Sequence, residues 1–117
     1  MSYAKTTGDQ GEEIARRFLQ KQGLEIVETK YHYEHGEIDI IAREGEVLVF
    51  CEVKTRYSDK FGPPECAIPP RKQAQVRRTA NAYLFEHEIR EQVCRFDVVA
   101  IRFEGKNIRI NYIKNAF

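Results

Sequence analysis

The chain has 117 residues, 42% of them hydrophobic and 32% charged, and a formal net charge of +1, which fits one globular domain, 1–117, that folds without disulfides or a structural metal. No apolar run approaches the ~20 residues of a bilayer helix, and the polar N-terminus MSYAKTTGDQ does not read as a secretory signal. Cys51, Cys66 and Cys94 are odd in number, widely spaced and form no CxxC pair, so a cytoplasmic location is expected, with neither a disulfide framework nor a zinc ribbon.

From Asp9 to about Gln22 the apolar residues Ile14, Ala15, Phe18 and Leu19 recur at helical spacing. Asp9 is the expected N-cap and Gly23 the expected stop. Residues 24–33 read as a strand. Residues 36–42 (GEIDIIA) and 47–54 (VLVFCEVK) are rich in β-branched side chains and flank a hairpin turn, Arg43-Glu44-Gly45-Glu46. The segment 56–70 holds all four prolines and Gly62, so it is expected to be an irregular loop of a length often tied to function. A second helix is expected over 71–88, with Val76, Ala80, Tyr83 and Leu84 on its apolar stripe. Strands over 95–103 and 107–113 close the chain around Glu104-Gly105-Lys106. The order α-β-β-β-α-β-β predicts an α/β or α+β domain with a mixed sheet.

The first strong hairpin carries the chemistry. Alternation along a strand places Glu37, Asp39 and Ile41 on one face and Ile38, Ile40 and Ala42 on the other. On the next strand Leu48, Phe50, Glu52 and Lys54 share a face, and Val47, Val49, Cys51 and Val53 share the opposite one. A turn centred between Gly45 and Glu46 pairs Asp39 directly with Glu52 and Glu37 with Lys54. Opposed side chains have Cβ atoms only ~4.5–5.5 Å apart, and like charges there repel unless a cation or a proton lies between them. A hard divalent ion such as Mg²⁺ is held by a few carboxylates plus water and phosphate oxygens, and a neighbouring lysine can stabilise developing negative charge. An ordinary solvated sheet face, with Glu37–Lys54 as a cross-strand ion pair, fits the same residues.

Asp39 followed by Glu52-Val53-Lys54 on the next apolar strand is similar to the PD-(D/E)xK nuclease superfamily. Gly11-Glu12, Gly36-Glu37-Ile38-Asp39, Phe50-Cys51-Glu52-Val53-Lys54-Thr55-Arg56, Lys72 and Arg95-Phe96-Asp97-Val98-Val99 resemble one branch of it, the YraN family of small bacterial proteins. That family is akin to archaeal Holliday-junction resolvases, and the likeness runs from about Gly11 to Phe117. It implies a restriction-endonuclease-like mixed sheet flanked by helices. It also implies a Mg²⁺- or Mn²⁺-dependent endonuclease on DNA, with branched or structured DNA among the candidate substrates, in which Asp39 and Glu52 bind metal and Lys54 is catalytic. Two positions depart from the family pattern: Lys30 stands where the family usually has Asn, and Cys51 where it usually has Val.

The resemblance further implies a metal-binding acid from the first helix at Glu12, with Glu37 assisting. Glu12 lies about a quarter turn from the apolar stripe, so it can reach over the sheet edge. A capping box from Asp9 to Glu12 accounts for it equally. Arg71, Gln75 and Arg78 share a helix face turned away from Val76, Ala80 and Tyr83, and with Lys72 and Arg56 they are the candidate nucleic-acid contacts. A solvated helix face explains the arginines as well. His32 and His35 show no zinc-ligand spacing, and Asp97 reads as a buried acid paired with Arg95 or Arg102. The expected partners are nucleic acid, DNA in the first instance, and a second copy in a homodimer, with no membrane. A non-catalytic nucleic-acid-binding module and a protein-interaction scaffold are the alternatives.

Overall fold

The computed structural model describes residues 7–57 and 62–117. In chain order the elements are α1 (Thr7–Lys21), β1 (Glu25–Tyr33), β2 (Gly36–Glu44), β3 (Val47–Tyr57), α2 (Pro70–Glu86), β4 (Cys94–Glu104) and β5 (Asn107–Ile113). This is the order read from the sequence. All five strands form one sheet in the order β1-β2-β3-β4-β5. Only β3 and β4 pair in parallel, because α2 carries the chain back between them. The strand bearing Glu52 and Lys54 is therefore the central one.

Both sheet faces are buried. Ala15 and Leu19 of α1 pack on Ile40, Ala42, Val49, Cys51, Val99 and Ile101. Val76, Ala80 and Tyr83 of α2 pack on Ile38, Ile41, Leu48 and Phe50 on the other side. The face carrying Glu52 and Lys54 is thus not a solvated one, since its first half lies under α2.

The turns follow local chemistry. Gly23, at φ 96°, ends α1 as expected, and Gly23 and Leu24 donate their N–H groups to Gln20 and Leu19 in a Schellman closure. The β2–β3 turn is only Gly45-Glu46, with both strands longer than expected, and Gly45 takes φ 60° at the first turn position. Pro70 opens α2, where its missing N–H costs nothing. Asp9 does not cap α1, which begins at Thr7. It lies in the first turn and takes an ion pair from Lys30 at 2.8 Å. A capping box between Asp9 and Glu12 is ruled out with it, because a box needs its first residue at the N-cap.

Candidate active site

Register places the acids as the turn arithmetic required, up to a point. The β2–β3 ladder runs from Glu44↔Val47 to Ile40↔Cys51, all pairs summing to 91, and ends there. At the next step the Asp39 carboxylate intervenes: its Oδ2 accepts the Val53 backbone N–H at 2.8 Å. A side chain takes the place of a strand acceptor, so β2 and β3 part beside Asp39 and Glu52. Glu37 therefore never meets Lys54. It lies 3.7 Å from His32 Nε2 across β1, while Lys54 Nζ donates to the Ala67 carbonyl at 2.9 Å.

Lys30 contributes to this divergence. It lies between the paired residues Thr29 and Tyr31 and has φ 53°, in the left-handed region. Few residues other than Gly, Asn and Asp settle there. Alternation shifts at this point: Ile40 packs toward α1, but Tyr31 and Ile38 both pack toward α2. Grouping Ile38 with Ile40 and Ala42 was thus wrong by one residue. The backbone conformation also explains why asparagine suits position 30.

Two glycines bring the helices down onto the acids. A Cβ at Gly11 would lie 2.0 Å from Thr55 Oγ1, so only glycine lets the first turns of α1 rest on β3 beside Glu12. A Cβ at Gly36 would lie 2.0 Å from Thr79 Oγ1 of α2. The Gly-Glu and Gly-Glu-Ile-Asp sequences are in this sense packing devices that end in carboxylates.

The electrostatics are unusual for a sheet. Glu52 is 5% exposed, its Oε1 is buried without a hydrogen-bond partner, and its Oε2 lies 3.6 Å from Lys72 Nζ. Burial pushes its carboxyl up to about 8, Asp39 adds to the rise, and Lys72 opposes it. Asp39 is raised by burial, against the Val53 N–H that favours its charge. Glu12 Oε1 is likewise buried and unpartnered, and burial, then Asp39, push Glu12 up to about 7. Asp39 of β2 thus acts on the carboxyls of Glu12 of α1 and Glu52 of β3, each of which keeps one buried oxygen without a hydrogen-bond partner.

Asp39, Glu52, Lys54, Arg56 and Lys72 line a cleft of about 690 Å³ together with Glu65 and the Ala67–Pro70 segment. Glu65 was not anticipated. The loop wall is fixed by side chains from three strands and a helix: Arg102 donates to Gly62 O, Asn111 to Pro64 O, Lys54 to Ala67 O and Gln73 to Ile68 O. The other expected contacts divide. Gln75 donates to His35 O and, with Arg78, lines a separate recess of about 130 Å³, while Arg71 is exposed and lines neither space. Asp97 pairs with Arg95 as read from the sequence, and Arg102 instead binds Glu104.

The chain matches a family model described as "Uncharacterised protein family UPF0102" over residues 11–101. It belongs to the UPF0102 family. Among its relatives, a UPF0102 protein of Caldicellulosiruptor saccharolyticus is 46% identical over 112 residues, covering 94% of this chain and 95% of the relative. One from Syntrophus aciditrophicus is 43% identical over 111 residues, covering 95% and 87%. A third, from Geobacter metallireducens, is 40% identical over 113 residues, covering 97% and 93%. The matched region begins at the Gly11-Glu12 pair and takes in every cleft residue named above. Family membership settles relationship, and the names of these UPF0102 proteins state no activity.

Among the described residues, no three His, Cys, Asp or Glu side chains stand close enough together to form a ready-made metal cage. Asp39 and Glu52 nonetheless fit a hard cation. They are neighbouring oxygen donors, one with a buried orphan oxygen, and a Mg²⁺ site commonly takes only one or two carboxylates, completed by water and phosphate oxygens.

Proposed function

We propose that this UPF0102 protein is a divalent-metal-dependent endonuclease, with Mg²⁺ or Mn²⁺ held by Asp39 and Glu52 and DNA as substrate, acting in the cytoplasm. The observation that carries this reading is the buried, unpartnered oxygen of Glu52 beside Asp39, in a cleft whose rim holds Lys54, Arg56 and Lys72. A fold keeps buried polar atoms paired unless something else completes them. A cation held by Asp39 and Glu52 would complete both carboxylates, leaving room for water and phosphate oxygens. The bound ion would polarise the phosphoryl group and make a bound water more acidic.

The chain's own residues supply the rest. Lys54, on the strand of Glu52, exchanges the Ala67 carbonyl for the scissile phosphate and stabilises the negative charge that builds there. Arg56, exposed at the cleft's mouth, binds a flanking phosphate. Glu12, on the α1 side of Asp39, would accept a hydrogen bond from the attacking water, and Glu37, close enough to act on both Glu12 and Asp39, would add to the negative field that attracts the cation.

The deciding experiment incubates purified protein with linear, branched and single-stranded DNA in Mg²⁺ or Mn²⁺. Cleavage is expected in the wild type and absent in Asp39→Asn and Glu52→Gln, both still folded. Salt-dependent binding without cleavage in any metal would instead identify a non-catalytic nucleic-acid module.

A further inference from the structure

Lys72 stands in an unusual relation to Glu52. Its ammonium lies 3.6 Å from Oε2, too far for a good hydrogen bond but within ion-pair range. The lysine side chain is 39% exposed and the glutamate side chain 6%. A cation that reaches water thus rests on a carboxylate that does not. Lys72 also sits in the first turn of α2, which starts at Pro70 on the wall of the cleft. Its long stem can swing from the floor of the cleft to its mouth without moving the helix.

We infer that Lys72 is a resident counter-ion that holds a divalent cation's place on Glu52 and releases it when its ammonium moves to a nucleic-acid phosphate. This rests on the metal-dependent reading above and concerns how that site is loaded. An ammonium and a divalent ion on one buried carboxylate repel each other strongly in a partly desolvated cleft. The ion therefore binds in competition with Lys72. A phosphate in the cleft offers the ammonium a second anionic partner and removes the competition. Ion and nucleic acid then strengthen each other's binding, and by linkage they do so equally. The ion is therefore held more weakly without nucleic acid than with it.

Mn²⁺ titration by calorimetry without nucleic acid tests the first half, repeated between about pH 7.5 and pH 9 so that competition by protons, which loss of the Lys72 charge also increases, is separated from competition by the ammonium. Lys72→Met keeps the stem and removes the charge, and it is expected to bind Mn²⁺ about tenfold more tightly than wild type. Lys72→Gln is expected to do the same, and Lys21→Met, a charge loss at the far end of α1, is expected to change nothing. Equal or weaker binding by both Lys72 variants overturns the inference and leaves the metal site standing. Binding by the variants alone supports it, whereas no binding by any form overturns the metal site as well. The second half is read from the anisotropy of a short labelled DNA duplex in Ca²⁺ and in chelator. Lys72→Met should lose affinity several-fold in Ca²⁺ and little in chelator, where the wild-type lysine is already engaged. An equal loss in both, or none in either, would refute the transfer to phosphate.

Discussion

Two buried acids stand on neighbouring strands of this sheet and are treated in opposite ways. Asp97 of β4 is fully buried, and every approach to it is filled. Arg95 donates two bonds at 2.8 and 2.9 Å, Tyr112 donates its hydroxyl, and the Asn115 backbone N–H donates at 2.9 Å. Glu44 and Lys114 extend the network. Glu52 of β3 is nearly as buried, yet it has one orphan oxygen and one loose ion pair. A satisfied buried acid holds a fold together, here by tying the C-terminal segment to β4. An unsatisfied one lowers stability and persists where a ligand completes it.

The comparison predicts opposite outcomes for the two acids. Asp97→Ala takes two bonds from the Arg95 guanidinium, which keeps Glu44, and leaves the Tyr112 hydroxyl and the Asn115 N–H without their acceptor, and it should cost about 3–5 kcal/mol in urea unfolding, with no dependence on added metal. Glu52→Gln keeps the side-chain volume and removes repulsion from Asp39. Metal-free, at about pH 8, it should be as stable as wild type or more so. A loss in Glu52→Gln as large as that in Asp97→Ala would erase the distinction.

Next in size is the helix contact that brings Glu12 to the site. Gly11→Ala forces a methyl into Thr55 and should cost about 2–3 kcal/mol by thermal unfolding. Part should return in the Gly11→Ala/Thr55→Ala double variant, since the hydroxyl that clashes is gone. Full additivity of the two changes would mean that α1 does not rest on β3 through this pair.

The pH dependence separates the regions further. The Glu12 and Glu52 carboxyls hold their protons more tightly in the folded chain than in the unfolded one. Between their ordinary value of 4.5 and about 8 the folded state therefore binds more protons, and stability falls as pH rises through that window. From about pH 5 to pH 8 the metal-free protein should lose roughly 4 kcal/mol, most of it from Glu52, because water screens the more exposed Glu12. The slope should flatten in Glu12→Gln/Glu52→Gln and in saturating Mn²⁺. A rising or level profile in the wild type would show that the carboxyls are not confined as described.

The smallest effect is expected at Lys30. Asparagine tolerates the left-handed backbone but gives up the exposed ion pair with Asp9. Lys30→Asn should fall within about 0.5 kcal/mol of wild type. Lys30→Val, whose branched side chain fits that conformation poorly, should lose about 1–2 kcal/mol. Equal losses in both would place the residue's importance in its charge and not in its backbone.

Much of the candidate site was legible because its geometry is local. The turn at Gly45-Glu46 sets the β2–β3 register, and that register alone brings Asp39 toward Glu52. Alternation correctly placed Glu52 and Lys54 with Phe50 and Leu48. What failed was alternation through Asp39, where a side-chain acceptor on β2 and the left-handed Lys30 on β1 reset the strands. The Glu37–Lys54 pairing failed for the same reason. Glu65 and the Ala67 carbonyl were invisible, because a proline-rich loop carries no periodicity to say which way its residues face.

The amino-acid order by itself determined the element sequence, the turn chemistry, the two apolar helix stripes and the carboxylate register, since each depends on spacing between near neighbours. The tertiary structure alone decided which acids are satisfied and which are orphaned. That outcome depends on groups about twenty residues apart or more, such as Asn115 reaching Asp97 and Lys72 reaching Glu52. It depends also on how much water each carboxylate keeps, and desolvation belongs to the packed whole and has no local signature.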